Sequence, residues 1–151
     1  MAKTYRLNVG TRLINSVFRL MTRLGLGASY RHILTVTGRK TGRLYSTPVD
    51  VIEVAGDRWL VAGYGPVSWV QNARAAGEVT LSRGRRSEKF RVVETATQVA
   101  IPVLRAYIDE IKVTRPYFDA NPDSPDDAIA SELKRHSVFR LTPEAAHASK
   151  R

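Results

Sequence analysis

The chain contains no cysteine, which removes disulfides, thiolate metal sites and a cysteine nucleophile at once. Histidine is scarce as well: His32, His136 and His147 stand far apart without metal-ligand spacing, so no metal is expected. No apolar stretch reaches the ~18–20 residues needed to span a bilayer. The N-terminus lacks a continuous apolar core followed by a small-residue cleavage site, which argues against a signal peptide and for a cytoplasmic location. Acidic residues are few, with 14 Asp+Glu against 24 Lys+Arg and a formal net charge of +10. Such a chain favours anions, whether nucleic acid, an acidic membrane surface or a polyanionic small molecule, and charge alone does not choose. Internal repeats and low-complexity tracts are absent. So is any paired-carboxylate motif or nucleophile elbow. Sparse protein chemistry of this kind fits a protein whose bound cofactor does the reaction.

What is present is a chain of 151 residues with 43% hydrophobic residues, enough for one domain with a substantial core. In Val9–Leu24 the residues Leu13, Ile14, Val17, Phe18, Met21 and Leu24 recur at helical spacing, and Gly25 and Gly27 stop the helix. Strands are expected over His32–Thr37, Leu44–Ala55 and Arg58–Gly63, with Gly56-Asp57 as a two-residue hairpin loop. A short helix opens at Ser68, where Ser68 and Gln71 have capping-box spacing, and ends at Gly77. A hairpin around Gly84 joins Glu78–Arg83 to Ser87–Thr95. Thr97–Val113 reads as a helix with Pro102 near its first turn, and a second helix ends near Arg135 with Ser124 as N-cap and Pro125 at its first position. Ser137–Leu141 closes the set. The predicted architecture is mainly β with flanking helices (α+β): a small barrel of about six mostly antiparallel strands. Residues 1–27 form an N-terminal amphipathic helical segment, 32–142 the barrel with inserted helices, and 143–151 a tail.

The sharpest local signal is Gly38-Arg39-Lys40-Thr41-Gly42. Two adjacent cations, a hydroxyl and several backbone N–H groups between glycines suit a phosphate or a poly-carboxylate tail. It is not a P-loop, because the Gly-x-x-x-x-Gly-Lys-Ser/Thr pattern is missing. The plain alternative is a hairpin turn whose exposed positions happen to be basic. Ser46 and Thr47, before Pro48, add hydroxyls beside the turn, and the Gly63–Val67 loop leads to the helix N-terminus at Ser68. Two donor-rich elements separated by one hairpin are placed to converge on one anion. Competing readings exist. Arg83, Arg85 and Arg86 make a basic hairpin tip, but no dense aromatic–basic interleaving accompanies it, which disfavours nucleic acid. The basic helix at residues 9–24 either covers one end of the core or lies on an anionic membrane surface.

The run TVTGRKTGRLYSTPV, then WLVAGYG, then WVQNARAAGEVTL, resembles the deazaflavin-dependent nitroreductase family, split β-barrel oxidoreductases related to the FMN-binding split barrels. The resemblance covers Ile33 to Val93, and more faintly the Val138–Leu141 strand. It implies coenzyme F420, an 8-hydroxy-5-deazaflavin, as hydride donor, with FMN as the alternative. The acceptor would be an electron-poor small molecule such as a quinone, enone or nitro compound, and the assembly a homodimer. By that resemblance Arg39, Lys40, Thr41 and Gly42 hold the phosphate or oligoglutamate tail. Tyr45, Ser46, Thr47, Pro48 and Val49 line the cofactor. Gly63, Tyr64, Gly65, Pro66 and Val67 contact ring or linker, and Trp69, Val70, Asn72 and Ala73 complete the pocket. Tyr64 and Tyr117 are the catalytic candidates, as donors to a developing oxyanion. This chain departs from the family by having Tyr45 where Arg is frequent, with Arg43 nearby, and by a shorter loop between Gly65 and Trp69. The segment Arg115-Pro116-Tyr117-Phe118 has no counterpart in it. A fatty-acid or lipid-binding module on the same barrel, peripheral to a membrane, is the reading from another class.

Overall fold

Six short β-branched segments, each too short to hold alone, pair until no edge remains. The computed structural model describes residue 2 and residues 29–144. The expected N-terminal helix and most of the tail lie outside the described residues. In chain order the elements are β1 (Arg31–Thr37), β2 (Leu44–Val54), β3 (Asp57–Val61), α1 (Ser68–Ala76), β4 (Glu78–Arg83), β5 (Arg86–Glu94), α2 (Thr97–Glu110), a 3-10 turn (Lys112–Tyr117), α3 (Asp126–Glu132) and β6 (Val138–Pro143). The barrel closes in the order β1-β2-β3-β6-β5-β4, and every pair is antiparallel. This is the small mainly β barrel with flanking helices that the sequence predicts.

Strand periodicity builds the interior. Leu34 and Val36, Val49 and Val51, Leu60 and Ala62, Val79 and Leu81, Phe90 and Val92, Phe139 and Leu141 are buried together, one i, i+2 pair from each strand. Val70 and Ala73 of α1 join this cluster, so α1 plugs one mouth of the barrel. The alternate residues Ile52, Trp59, Val61 and Val138 point outwards. They are covered by Ala100, Val103, Leu104, Tyr107 and Ile108 of α2, with Ile111, Phe118 and Ile129. The two faces of the same strands therefore serve two cores.

Several local expectations are corrected. The β2–β3 loop is Ala55-Gly56, because Val54 pairs with Asp57. Both loop residues have positive φ, 54° and 84°, as a type I′ turn requires. Pro102 is exposed in the body of α2, beyond its first turn. The last stretch of the predicted helix is the 3-10 turn instead. The N-cap of α3 is Pro125, and the Ser124 hydroxyl accepts the Asn121 N–H.

Behind β3, Tyr107 is buried with its hydroxyl against Gly63. A Cβ on Gly63 would collide with that hydroxyl, and would lie 2.8 Å from Tyr107 Cζ and 2.9 Å from Thr114 Cγ2. Gly63→Ala is expected to lower the unfolding free energy by about 1–3 kcal/mol in a urea titration. Adding Tyr107→Phe, which removes the colliding oxygen, should make the alanine cost smaller than it is in the parent. An unchanged urea midpoint in Gly63→Ala would contradict this packing.

Candidate functional site

The plugged mouth gathers the β1–β2 turn, the loop after β3 and the start of α1. Inside the turn the Gly38 N–H donates to Arg43 O at 2.7 Å and the Gly42 N–H to Gly38 O at 2.9 Å. Gly42 has φ +71°. The Thr41 hydroxyl accepts the Arg43 N–H at 3.2 Å and pairs with the Tyr45 hydroxyl at 3.1 Å. The Tyr45 ring lies on Gly38, where any side chain would strike it. The turn is thus braced from within, and Arg39, Lys40, Thr41, Gly42 and Arg43 stay exposed.

Asn72 joins this turn to α1. Its side chain is buried, and its Oδ1 accepts both the Arg39 backbone N–H at 3.1 Å and the Arg39 Nη1–H at 2.8 Å. A hydrogen bond from a guanidinium is charge-assisted. The oxygen therefore fixes the backbone and the direction of the cation together. Trp69, partly buried, tilts against Phe139 with ring centroids 6.0 Å apart. Val70 and Ala73 sit in the barrel core and shape the mouth from beneath. The capping box does not form: Val67 is the N-cap and no side chain caps the helix. Backbone turns, Val67 N–H to Gly65 O and Val70 N–H to Val67 O, enter the helix in its place. Gly77 closes α1 in the left-handed conformation, as expected.

In the loop after β3, the N–H groups of Gly63, Gly65 and Val67 bond to Val61, Ala62 and Gly65 carbonyls. Gly65 has φ +99°, a conformation that favours glycine. Pro66 is exposed and has no N–H. The loop's outward chemistry therefore rests on Tyr64. Tyr64 and Tyr117, 53 positions apart in sequence, meet edge to face with ring centroids 5.0 Å apart and planes at 74°. Along β2, pleating separates Tyr45, Thr47 and Val49 from Ser46 and Pro48. Val49 is in the barrel core, and the Ser46 hydroxyl pairs with Thr35 Oγ1 at 2.9 Å on the outer face.

Two buried polar groups were given no role by sequence reasoning. His136 is buried, with its ring nitrogens facing the carbonyl oxygens of Ala62 and Tyr117. Burial pushes its pKa down, against the two carbonyls and Glu132, while Arg135 adds to the lowering. Asp50, also buried, has its pKa raised by loss of water despite Arg31 Nε at 3.4 Å. A histidine adjoining a closing strand carries no sequence signal that separates it from an ordinary core residue. The basic hairpin tip is at the other end of the barrel, where Arg83 Nη1 donates to Arg31 O. Among the described residues no cluster of His, Asp or Glu is built to hold a metal, and no helix is long and apolar enough to cross a membrane.

The family model described as F420H(2)-dependent quinone reductase matches residues 6–113. No curated protein sequence matches the chain. A solved chain described as a domain-swapped dimer is similar with a TM-score of 0.56 and 17% identity, over 84% of this chain and 92% of that one. A structure described as an F420-H2 dependent reductase gives 0.50 and 17%, over 76% and 95%. A Clostridium acetobutylicum protein of the pyridoxinephosphate oxidase family, related to a Bacillus subtilis general stress protein, gives 0.53 and 10%, over 77% and 76%. At such identities the likeness to these structures is one of fold.

If Asn72 holds the turn, Asn72→Ala frees the Arg39 amide. Hydrogen exchange at Arg39 should then accelerate about ten-fold or more, while interior amides of β1 change little. Equal exchange at Arg39 in both proteins would contradict the role given to the carboxamide.

Proposed function

The chain belongs to the F420H(2)-dependent quinone reductase family, and we propose that the plugged mouth of its barrel is where coenzyme and quinone meet. Its activity is F420-dependent reduction, and coenzyme F420 supplies the hydride when bound. The residues present fit such a ligand. Its tail is anionic, and the braced turn offers Arg39, Lys40 and Arg43 exposed at one rim. The observation that carries the assignment is the Asn72 oxygen, which fixes Arg39 beside the start of α1. A cation already held in place loses little side-chain freedom on binding an anion. The phosphate or carboxylate tail belongs at this turn. The ring lies towards Trp69 and the Gly63–Val67 loop.

The acceptor side is assigned to Tyr64 and Tyr117. A quinone that accepts a hydride carries negative charge on a carbonyl oxygen. A phenolic O–H held next to that oxygen stabilises the charge as it develops. The two rings also give a flat acceptor an aromatic wall and limit the access of water. Protein groups therefore position, neutralise and exclude, and none is asked to form a covalent bond.

Titration with oxidised coenzyme F420, followed by its fluorescence, tests the tail site. Arg39→Ala and Lys40→Ala should each weaken binding about ten-fold, the size of one charge-assisted contact. Tyr64→Phe should leave this affinity nearly unchanged. With the reduced coenzyme and duroquinone as a soluble acceptor, the same variant should lower kcat about ten-fold or more. Wild-type affinity in both cation variants would refute the tail site, and full turnover in Tyr64→Phe would remove that tyrosine from the reaction.

A further inference from the structure

His136 reaches the backbone of Tyr117, and that of Ala62 two residues ahead of Tyr64, from the buried side. The ring is 1% exposed and stacks on Phe118, with centroids 3.8 Å apart and planes at 18°. Nδ1 lies 2.8 Å from the Ala62 carbonyl oxygen and Nε2 lies 3.0 Å from that of Tyr117. Ala62 directly precedes Gly63-Tyr64, so one imidazole reaches the chain on either side of the Tyr64–Tyr117 contact. We infer that His136 is a positioning residue for the acceptor: it ties the segment carrying Tyr117 to the loop carrying Tyr64 and sets the spacing of the two rings. This rests on the assignment of those tyrosines to the acceptor wall.

The two anchors are not equivalent. Ala62 is held independently, because its N–H donates to Ser137 O at 2.9 Å. Tyr117 ends a 3-10 turn in which Lys112, Val113, Arg115 and Pro116 are exposed. That turn meets the barrel through buried Thr114, whose methyl faces Gly63, through buried Phe118, and through the imidazole beneath it. A carbonyl oxygen only accepts, so the Tyr117 contact requires a proton on Nε2, supplied by one neutral tautomer or by the imidazolium. Two carbonyls are bonded at once only by the imidazolium; in the neutral ring a proton on Nε2 makes the Tyr117 contact and a proton on Nδ1 makes the Ala62 contact in its place. Phe118 in turn packs against Tyr107, whose hydroxyl abuts Gly63, which makes the arrangement continuous from the turn to the loop.

Three substitutions separate the anchors. The amide nitrogen of Asn reaches the place of Nδ1, and that of Gln the place of Nε2. Phe keeps the stack on Phe118 and loses both contacts. With reduced coenzyme F420 and duroquinone, His136→Phe and His136→Asn should raise the duroquinone KM about five-fold or more, with kcat at saturation reduced less than KM is raised. His136→Gln should restore most of the wild-type KM. Equal losses in all three variants, following their thermal stability, would overturn the inference and leave His136 a packing residue. An unchanged KM in His136→Phe would overturn it too. Hydrogen exchange of the Tyr117 and Phe118 amides, measured without ligand, reads the same tie separately. It should quicken about ten-fold in His136→Phe and His136→Asn and recover in His136→Gln. If the wild type passes no hydride to duroquinone, the functional reading fails while this exchange pattern still decides the tie. An exchange rate indifferent to which anchor is kept would refute it.

Discussion

One carboxamide oxygen, buried at the plugged mouth of the barrel, holds together two parts of the chain 33 residues apart in sequence. Asn72 accepts the Arg39 backbone N–H and its guanidinium, and the proposed site is built on that join. A turn with two cations in series would otherwise repel itself and sample many shapes. Here the backbone is braced by its own glycines and the leading cation is tied to a helix that is itself part of the core. An unpaired carboxamide in that position would be costly, so the fold is more stable with the turn in place. The same contact that stabilises the plug therefore pre-organises the turn proposed to bind the anionic tail.

Barrel closure explains why this chemistry sits where it does. The inward residues of the six strands fill the interior with apolar side chains. The polar turn and loop residues stand at the rims, where strands end and loops begin. At one rim stand the Arg39–Arg43 turn, Tyr64 and the start of α1. At the other stand Arg83, Arg85 and Arg86. The outward faces of β2, β3 and β6 are covered by α2 and its extension. That extension carries Tyr117 back to Tyr64, and His136, just ahead of β6, lies behind the pair.

Much of this was legible in the sequence. Alternation located the strands because burial on one face enforces a period of two. The Gly38–Gly42 turn stood out because glycines, cations and a hydroxyl rarely meet without a reason. What stayed hidden arises from tertiary placement. Gly56-Asp57 looked like the better hairpin loop, yet register places Ala55 at positive φ. Ser68 and Gln71 had the right spacing, but backbone turns from Gly65 and Val67 enter the helix first. The family resemblance singled out Asn72, but nothing in the sequence marked it as the partner of Arg39. The meeting of Tyr64 with Tyr117, and the place of His136 behind them, depend on how the C-terminal third folds back. Local pattern carries no information on that return.

The proposed binding of coenzyme F420 at the Asn72-braced rim is open to direct test. Titrating uniformly 15N-labelled protein with oxidised coenzyme F420 and mapping amide shifts tests it most directly. The account predicts that the largest changes fall on Arg39–Arg43, Gly63–Val67 and the first turn of α1, with Arg83–Arg86 at the far rim unmoved. Changes concentrated at Arg83–Arg86, or spread evenly over the barrel, would contradict it.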